Sequence, residues 1–151
     1  MLQKKGKPVI NFHFADTKSS LPPRKKLKAF LIELFVSEET LLNQLDYVFC
    51  SDPYLRNINI SYLNHDYNTD IITFPLSEKG EAVQGEVYIS IDTVKDNASR
   101  FETSFNNELL RVIFHGALHL CGYKDKSSKD QKLMTKMEDL YLEKWSSLIP
   151  E

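Results

Sequence analysis

Two histidines and one aspartate near the C-terminal end of the sequence have the spacing of a metal chelate. His115 and His119 are four residues apart in a stretch that predicts a helix, so both imidazoles lie on one helix face, about 6 Å apart along the axis. Gly122 ends this helix and allows the chain to reverse, which brings Asp125 back toward the pair. Two nitrogens, one oxygen and open positions for water are typical of catalytic zinc, whereas structural zinc takes four protein ligands.

The surroundings of the histidine pair favour metal binding over packing. A pair at this spacing also arises by chance, and it then belongs to a surface or to a packed core. Two core histidines would each need a buried hydrogen-bond partner, whereas one metal ion satisfies both at once. The apolar neighbours that make the helix a core helix are Val112, Ile113, Leu118 and Leu120.

The residue after the first histidine limits the reactions that such a metal site could catalyse. In the zinc-protease motif His-Glu-x-x-His, the glutamate in this position is the general base. Gly116 stands there instead, so the protease mechanism lacks its base, and we expect the glycine to leave space above the metal for a bulky substrate. Two histidines with one carboxylate also resemble the donor set of non-haem Fe(II) oxygenases, but nothing else in the sequence predicts the double-stranded β-helix of an oxygenase.

The composition predicts one globular domain over residues 1–151. Of the 151 residues, 42% are apolar and 26% are charged, which suits a buried core and excludes disorder, collagen-like repeats and coiled coil. Two cysteines, Cys50 and Cys121, do not make a disulfide framework. No apolar signal segment and no run near the ~20 residues of a membrane span occurs, so we expect a cytoplasmic protein without a membrane partner.

Basic residues are concentrated in two regions, although the net charge is only −2. Clusters of this kind can contact phosphates, but for each cluster taken alone a solvated helix face is the favoured interpretation. The first region comprises Lys4, Lys5, Lys7, Lys18, Arg24, Lys25, Lys26 and Lys28; the second comprises Lys124, Lys126, Lys129, Lys132 and Lys136.

The hydrophobic pattern predicts the element order β-α-β-α-β-β-α-α-α. This order indicates an α/β (α+β) fold in which one small mixed four-stranded sheet packs with about five helices, the metal site lying on a helix of the C-terminal half. The expected strands span residues 9–14, 45–50, 70–74 and 86–91, with a polar loop over 64–69. The first expected helix begins at Pro22-Pro23. The other four span residues 52–62, 93–101, 106 or 107 to 121, and from Ser127 or Ser128 onward.

Apolar stripes predict which helix faces are buried. The first helix carries a clean stripe of Leu27, Phe30, Leu31, Leu34 and Phe35. The last helix carries Leu133, Met137, Leu140, Tyr141, Trp145 and Leu148 on one side.

Four sequence blocks, over residues from about 45 to 140, resemble the YbeY family of bacterial metal-dependent endoribonucleases. The family signature His-Gly-x-Leu-His-Leu-x-Gly-Tyr-Asp-His is matched at His115, Gly116, Leu118, His119, Leu120, Gly122 and Tyr123. Upstream, Ile58-Asn59…Tyr62 resembles Leu-Asn-x-x-Tyr, the segment 69–75 resembles Thr-Asp-Val-Leu-Ser-Phe-Pro, and Gly85-Glu86-Val87-Tyr88-Ile89 resembles Gly-Asp-Ile-x-Ile. Glu108 falls where the family has a glutamate before the metal helix.

The resemblance implies a zinc-dependent, single-strand-specific endoribonuclease. Its implied role is ribosomal RNA maturation, in small-subunit processing and in ribosome quality control, with one Zn²⁺ or another divalent ion per chain. The implied partners are single-stranded RNA, ribosomal RNA and the ribosome, and not DNA. A metallohydrolase of another substrate and a non-catalytic, ribosome-associated metal-binding protein stay open as alternatives.

The chain departs from the family pattern at two places. The third family ligand is usually histidine, and Asp125 stands there, preceded by Lys124 instead of aspartate; aspartate is a competent zinc ligand. The family also carries an arginine where this chain has Leu63, and leucine cannot contact a phosphate. Either another cation takes its place, with Lys124 and His65 the nearest candidates in the sequence, or catalysis differs.

Overall fold

Over residues 7–66 and 69–148, which a computed structural model describes, four strands and five helices follow one another in the predicted order. Lys4, Lys5 and part of the expected loop over 64–69 lie outside the described residues. The strands are β1 (Val9–Phe14), β2 (Leu42–Cys50), β3 (Ile71–Pro75) and β4 (Val83–Ser90). The helices are α1 (Arg24–Ser37), α2 (Asp52–Leu63), α3 (Ile91–Arg100), α4 (Phe105–Leu120) and α5 (Ser128–Leu148).

The four strands form one mixed sheet in the order β1-β2-β4-β3. Strand β2 pairs in parallel with both β1 and β4, whereas β3 pairs antiparallel with β4 at the edge. Most of the core lies on one face of the sheet, under α1, α4 and α5, and a smaller cluster of Cys50, Leu55 and Ile72 lies under α2. The predicted α/β class and the four-stranded mixed sheet are therefore confirmed.

The ends of two strands differ from the prediction for reasons of pairing and capping. Strand β2 begins at Leu42, three residues early, because Leu42 pairs with Val83 of β4. Ile91, expected in a strand, begins α3, because the hydroxyl of Ser90 accepts a hydrogen bond from the Thr93 amide at 3.2 Å and caps the helix. No helix in the described part of the chain has both the length and the apolar character that crossing a bilayer requires.

The buried face of α5 differs from the stripe predicted for it, while the stripe of α1 is buried as predicted. Tyr141 and Trp145 are buried, but Leu133, Leu140 and Leu148 are 47%, 39% and 62% exposed. The buried residues of this helix are Met134, Glu138, Tyr141 and Trp145, and the predicted Met137 packs against the core as a partly buried residue, as does Leu142. A charged residue, Glu138, therefore occupies a core position of this helix, and a stripe drawn from apolar residues alone misses it.

Helix α4 packs closely against the sheet in the segment that carries the two histidines, and the space at Gly116 is too small for a side chain. A Cβ atom built on Gly116 would lie 2.8 Å from Val87 Cγ1 and 3.2 Å from Ile71 Cδ1. On the sheet side, a Cβ at Gly85 would lie 2.9 Å from Leu120 Cδ1. The expectation that Gly116 leaves space above the metal is wrong: this glycine faces the sheet, and it allows α4 to approach β3 and β4.

We expect Gly116→Ala to lower the free energy of unfolding by about 1–3 kcal/mol, the usual cost of an extra methyl group in a packed core. Urea denaturation monitored by circular dichroism measures this change. The Val87→Ala background is the control, because removing the valine methyl groups makes room for the new Cβ, and Gly116→Ala should cost less there. An equal cost in both backgrounds would contradict the close approach of α4 to Val87.

Candidate metal centre

The end of α4 reverses the chain as Gly122 predicts. The Gly122 amide donates to the His119 carbonyl at 3.0 Å, and the Tyr123 amide donates to the Leu118 carbonyl at 3.1 Å. These two hydrogen bonds form a Schellman motif, which requires the left-handed backbone that Gly122 adopts at φ +111°. The chain therefore turns back along α4, and Asp125 reaches the histidine side of the helix.

Asp125 and His115 are in direct contact. His115 Nε2 lies 3.2 Å from Asp125 Oδ2, with the two side chains 22% and 43% exposed. Two ligands of a tetrahedral zinc ion, each about 2.0–2.2 Å from the metal, lie roughly 3.4 Å from one another. The separation of this nitrogen and this oxygen is thus the separation that a shared zinc ion would need.

His119 lies in the same cavity but does not join this pair. His115, His119 and Asp125 all line a cavity of about 400 Å³. His119 Nδ1 is buried and has no hydrogen-bond partner among the residues that the structure describes, although buried polar atoms are nearly always paired. Within residues 7–66 and 69–148, no three His, Cys, Asp or Glu side chains are arranged so that they could hold one ion. The structure therefore brings two of the three predicted ligands together and leaves the third beside them.

The opposite wall of the cavity comes from α2 and β3, and it contains the position of the family arginine. Leu63 lines the cavity, so the substitution places an apolar side chain beside the candidate metal centre. Of the two cations expected to stand in for the arginine, His65 also lines the cavity, whereas Lys124 is exposed and does not line it. Lys126, two residues further along the chain, takes that place.

The second ring nitrogen of His115 contacts a carboxylate that the sequence analysis missed. His115 Nδ1 lies 2.7 Å from Oε2 of Glu138, whose side chain is 8% exposed. Arg111 Nη1 donates to Glu138 Oε1 at 2.9 Å, and Arg111 Nη2 donates to Asp139 Oδ1 at 2.6 Å. The signal that would have found Glu138 is its spacing, because it is three residues before Tyr141 and seven before Trp145 on one face of α5.

A smaller cavity of about 230 Å³ adjoins the first and is lined by several carboxylates. Burial raises the pKa of Asp70 above its ordinary value, and although His115 opposes this shift, nearby carboxylates add to it. Burial likewise raises the pKa of Glu108, against the opposing charge of Arg111. The charges that line this cavity are Asp70, Glu108, Arg111, His115, Asp125 and Glu138.

The neighbouring carboxylates favour the charged form of His115, whereas they disfavour the charged forms of Asp70 and Glu108. Burial disfavours its charged form, but the hydrogen bond to Glu138 and the surrounding negative charges outweigh that effect and raise the pKa of His115. Protonated imidazole cannot bind a metal ion, so a metal at this site must compete with protons.

Cys121 lies near the histidines in sequence but packs elsewhere. It is half-buried against the main core, and burial raises the pKa of its thiol to about 12, although a hydrogen bond with Thr40 opposes the shift. A thiol held in its neutral form is a poor metal ligand, and residues two apart on a helix, as His119 and Cys121 are, do not face one another.

Comparison with known proteins gives a single family. Residues 12–146 match the family described as Endoribonuclease YbeY. A Flavobacterium johnsoniae protein of that name is 45% identical over 131 residues, which cover 87% of this chain and 93% of the relative. A Cytophaga hutchinsonii protein of the same name is 44% identical over 134 residues, which cover 89% and 94%. The solution structure of a Thermotoga maritima protein superposes with a TM-score of 0.66 at 31% identity, covering 91% of this chain and 92% of that one.

We expect Asp70→Asn to stabilise the metal-free protein at neutral pH. A carboxyl group whose pKa is raised by folding costs stability above that raised value and costs none below its ordinary pKa of about 3.9. The gain from Asp70→Asn should therefore be largest at neutral pH and shrink as the solution is acidified. Urea denaturation of chelator-treated protein across this range measures it. Exposed Asp96→Asn is the control and should show no such trend; a loss of stability at neutral pH in Asp70→Asn would contradict the prediction.

Proposed function

This chain belongs to the endoribonuclease YbeY family, and we propose that it is a zinc-dependent, single-strand-specific endoribonuclease acting in ribosomal RNA maturation and ribosome quality control in the cytoplasm. The observation that carries the proposal is the contact of His115 with Asp125 at 3.2 Å, in a cavity that His119 also lines. The contact joins His115, which matches the family signature, with Asp125, which stands at the position of the third family ligand.

The residues present fit one zinc ion per chain. His115 would bind through Nε2, because its Nδ1 is engaged with Glu138, and Asp125 and His119 would supply the other two donors. When bound, zinc acidifies water and offsets negative charge on a phosphate. The proposal requires His119 to join the pair, and its buried nitrogen without a partner is the feature that favours this.

The chain supplies cations for an RNA backbone beside this centre. Lys126 lines the cavity, and Lys129, Lys132 and Lys136 continue from it as exposed residues of α5. Lysines in such a row neutralise successive phosphates, which supports binding of a single strand. In the cavity itself, Lys126 and His65 are the residues that would contact the phosphate to be cleaved, in place of the family arginine.

A second candidate function is favoured by Leu63 in particular. This side chain lines the cavity where the family has an arginine, and it cannot donate a hydrogen bond to a phosphate or stabilise developing charge. A ribosome-associated protein that binds metal and RNA without cleaving RNA would fit a centre that lacks this group.

Metal analysis combined with RNA cleavage separates these functions. We expect about one zinc per chain, cleavage of an unstructured RNA but not of duplex RNA or DNA, loss of cleavage with a chelator and recovery on adding zinc. His115→Ala should abolish both zinc binding and cleavage, whereas Cys121→Ser is the matched control and should keep both. Absence of zinc after reconstitution would contradict the proposal; zinc with ribosome cosedimentation and no cleavage would establish the second candidate.

The variants of Asp125 test the third ligand. Asp125→Ala leaves two imidazoles and should weaken zinc binding by about 100-fold or more, since catalytic zinc takes three protein ligands. Asp125→His should keep binding through a third imidazole, and Asp125→Asn should fall between, because an amide oxygen is a poorer donor than a carboxylate. Competition with a zinc-binding dye measures the affinities, and thermal unfolding confirms the fold. Parental affinity in Asp125→Ala would show that the site is completed elsewhere.

A further inference from the structure

We propose that Glu138, held in place by Arg111, is a positioning residue that sets the tautomer and the ring orientation of His115. The inference deepens the proposed function, since it concerns how one ligand of the same site is prepared. It rests on contacts among three side chains of α4 and α5, which exist whether or not a metal is bound.

The hydrogen bond from His115 to Glu138 decides which ring nitrogen carries the proton. An ionised carboxylate only accepts hydrogen bonds, so His115 Nδ1, at 2.7 Å from Glu138 Oε2, is the donor. In neutral imidazole the other nitrogen then has a free lone pair. That nitrogen is Nε2, which lies 3.2 Å from Asp125, on the side where the other proposed ligand is found.

Glu138 can serve this purpose only if its own position and charge are fixed. Its side chain is 8% exposed, and an ionised carboxylate buried to this degree is costly without a partner. Arg111 provides the partner, because its Nη1 binds Oε1 at 2.9 Å and leaves Oε2 for His115. Each oxygen of the carboxylate therefore has one assigned partner, and the group has little freedom to turn away.

All three residues lie on helices, two on α4 and one on α5, so no loop is needed to position them. Arg111 and His115 are four residues apart on α4, and thus lie on one face, while Glu138 projects from the buried face of α5. A carboxylate behind a metal-binding histidine makes the imidazole more basic and orients it, and losing such a group typically weakens metal binding about 10–100-fold. This role explains why a charged residue occupies a core position of α5.

Asp139 offers a matched control in the same helix. Its carboxylate binds the other arm of Arg111, at 2.6 Å from Nη2, and it is 61% exposed. Asp139→Asn removes a negative charge next to Glu138 and one ion pair with Arg111, while the hydrogen bonds of Glu138 to His115 and to Arg111 stay in place. A merely electrostatic or structural effect of the acidic pair would appear in both variants.

The experiment compares the parent, Glu138→Gln, Glu138→Ala and Asp139→Asn in the full chain. We expect zinc affinity, from competition with a zinc-binding dye, to fall about 10–100-fold in Glu138→Ala, to fall less in Glu138→Gln, whose amide oxygen still accepts from Nδ1, and to stay within about twofold in Asp139→Asn. The ¹⁵N spectrum of the metal-free parent, recorded above the pH at which the His115 signals stop shifting, should show His115 as the Nδ1–H tautomer. In Glu138→Ala the signal should move toward the Nε2–H tautomer.

The two measurements keep this inference separate from the proposed function. If the parent binds no zinc, the proposed function is wrong. The tautomer of metal-free His115 still tests the role of Glu138 in that case. A parent with the Nε2–H tautomer, or a Glu138→Ala variant with parental affinity and an unchanged tautomer, would overturn the inference. Should Glu138→Ala fail to fold, the tautomer in the parent and in Glu138→Gln gives the same decision.

Discussion

The close contact between α4 and the sheet is the constraint on which the candidate centre depends. Gly116 faces Val87 and Ile71 at distances that no side chain could occupy, and the hydroxyl of fully buried Tyr47 donates to the Ile113 carbonyl of the same helix at 2.8 Å. A helix held from β2, β3 and β4 can neither roll nor slide without breaking packed contacts. His115 therefore projects from a helix that three strands hold in place, which suits a residue that must meet a ligand from a loop.

Charge compensation is the second requirement, because the centre collects several carboxylates in a partly buried space. Arg111 neutralises Glu138, and His115 lies between Glu138 and Asp125. Burial and mutual repulsion leave the nearby carboxyl groups with raised pKa values, which is an energetic cost to the fold. Costs of this kind are concentrated at functional sites, and a divalent cation among these groups would relieve them.

The departures from the family pattern change the charge of the site in one direction. Asp125 adds a negative charge where the family usually has a neutral imidazole, and Leu63 removes a positive charge from the opposite wall of the cavity. Both changes make the cavity more attractive to a cation and less attractive to a phosphate. Lys126 lines the same cavity, but it comes from the segment after α4 and not from α2, which carries Leu63.

Local features of this protein could be deduced from the sequence, since each depends on a few neighbouring residues. The spacing of His115 and His119 puts them on one face of any helix, and Gly122 supplies a left-handed conformation that reverses the chain wherever that helix lies. Neither statement requires knowledge of the rest of the fold. The pairing of His115 with Asp125 belongs to the same class, because a single turn connects them.

The position of Glu138, the direction in which Gly116 faces and the choice of Lys126 over Lys124 were decided by tertiary structure. Glu138 is 23 residues from His115, and the two meet because α5 packs on α4 with one particular rotation. Apolar residues alone predict a different rotation for α5, since they count a glutamate as a surface residue. The physical reason is that a buried charge is stable only beside its partners, and those partners, Arg111 and His115, lie on another helix, where no local pattern reveals them.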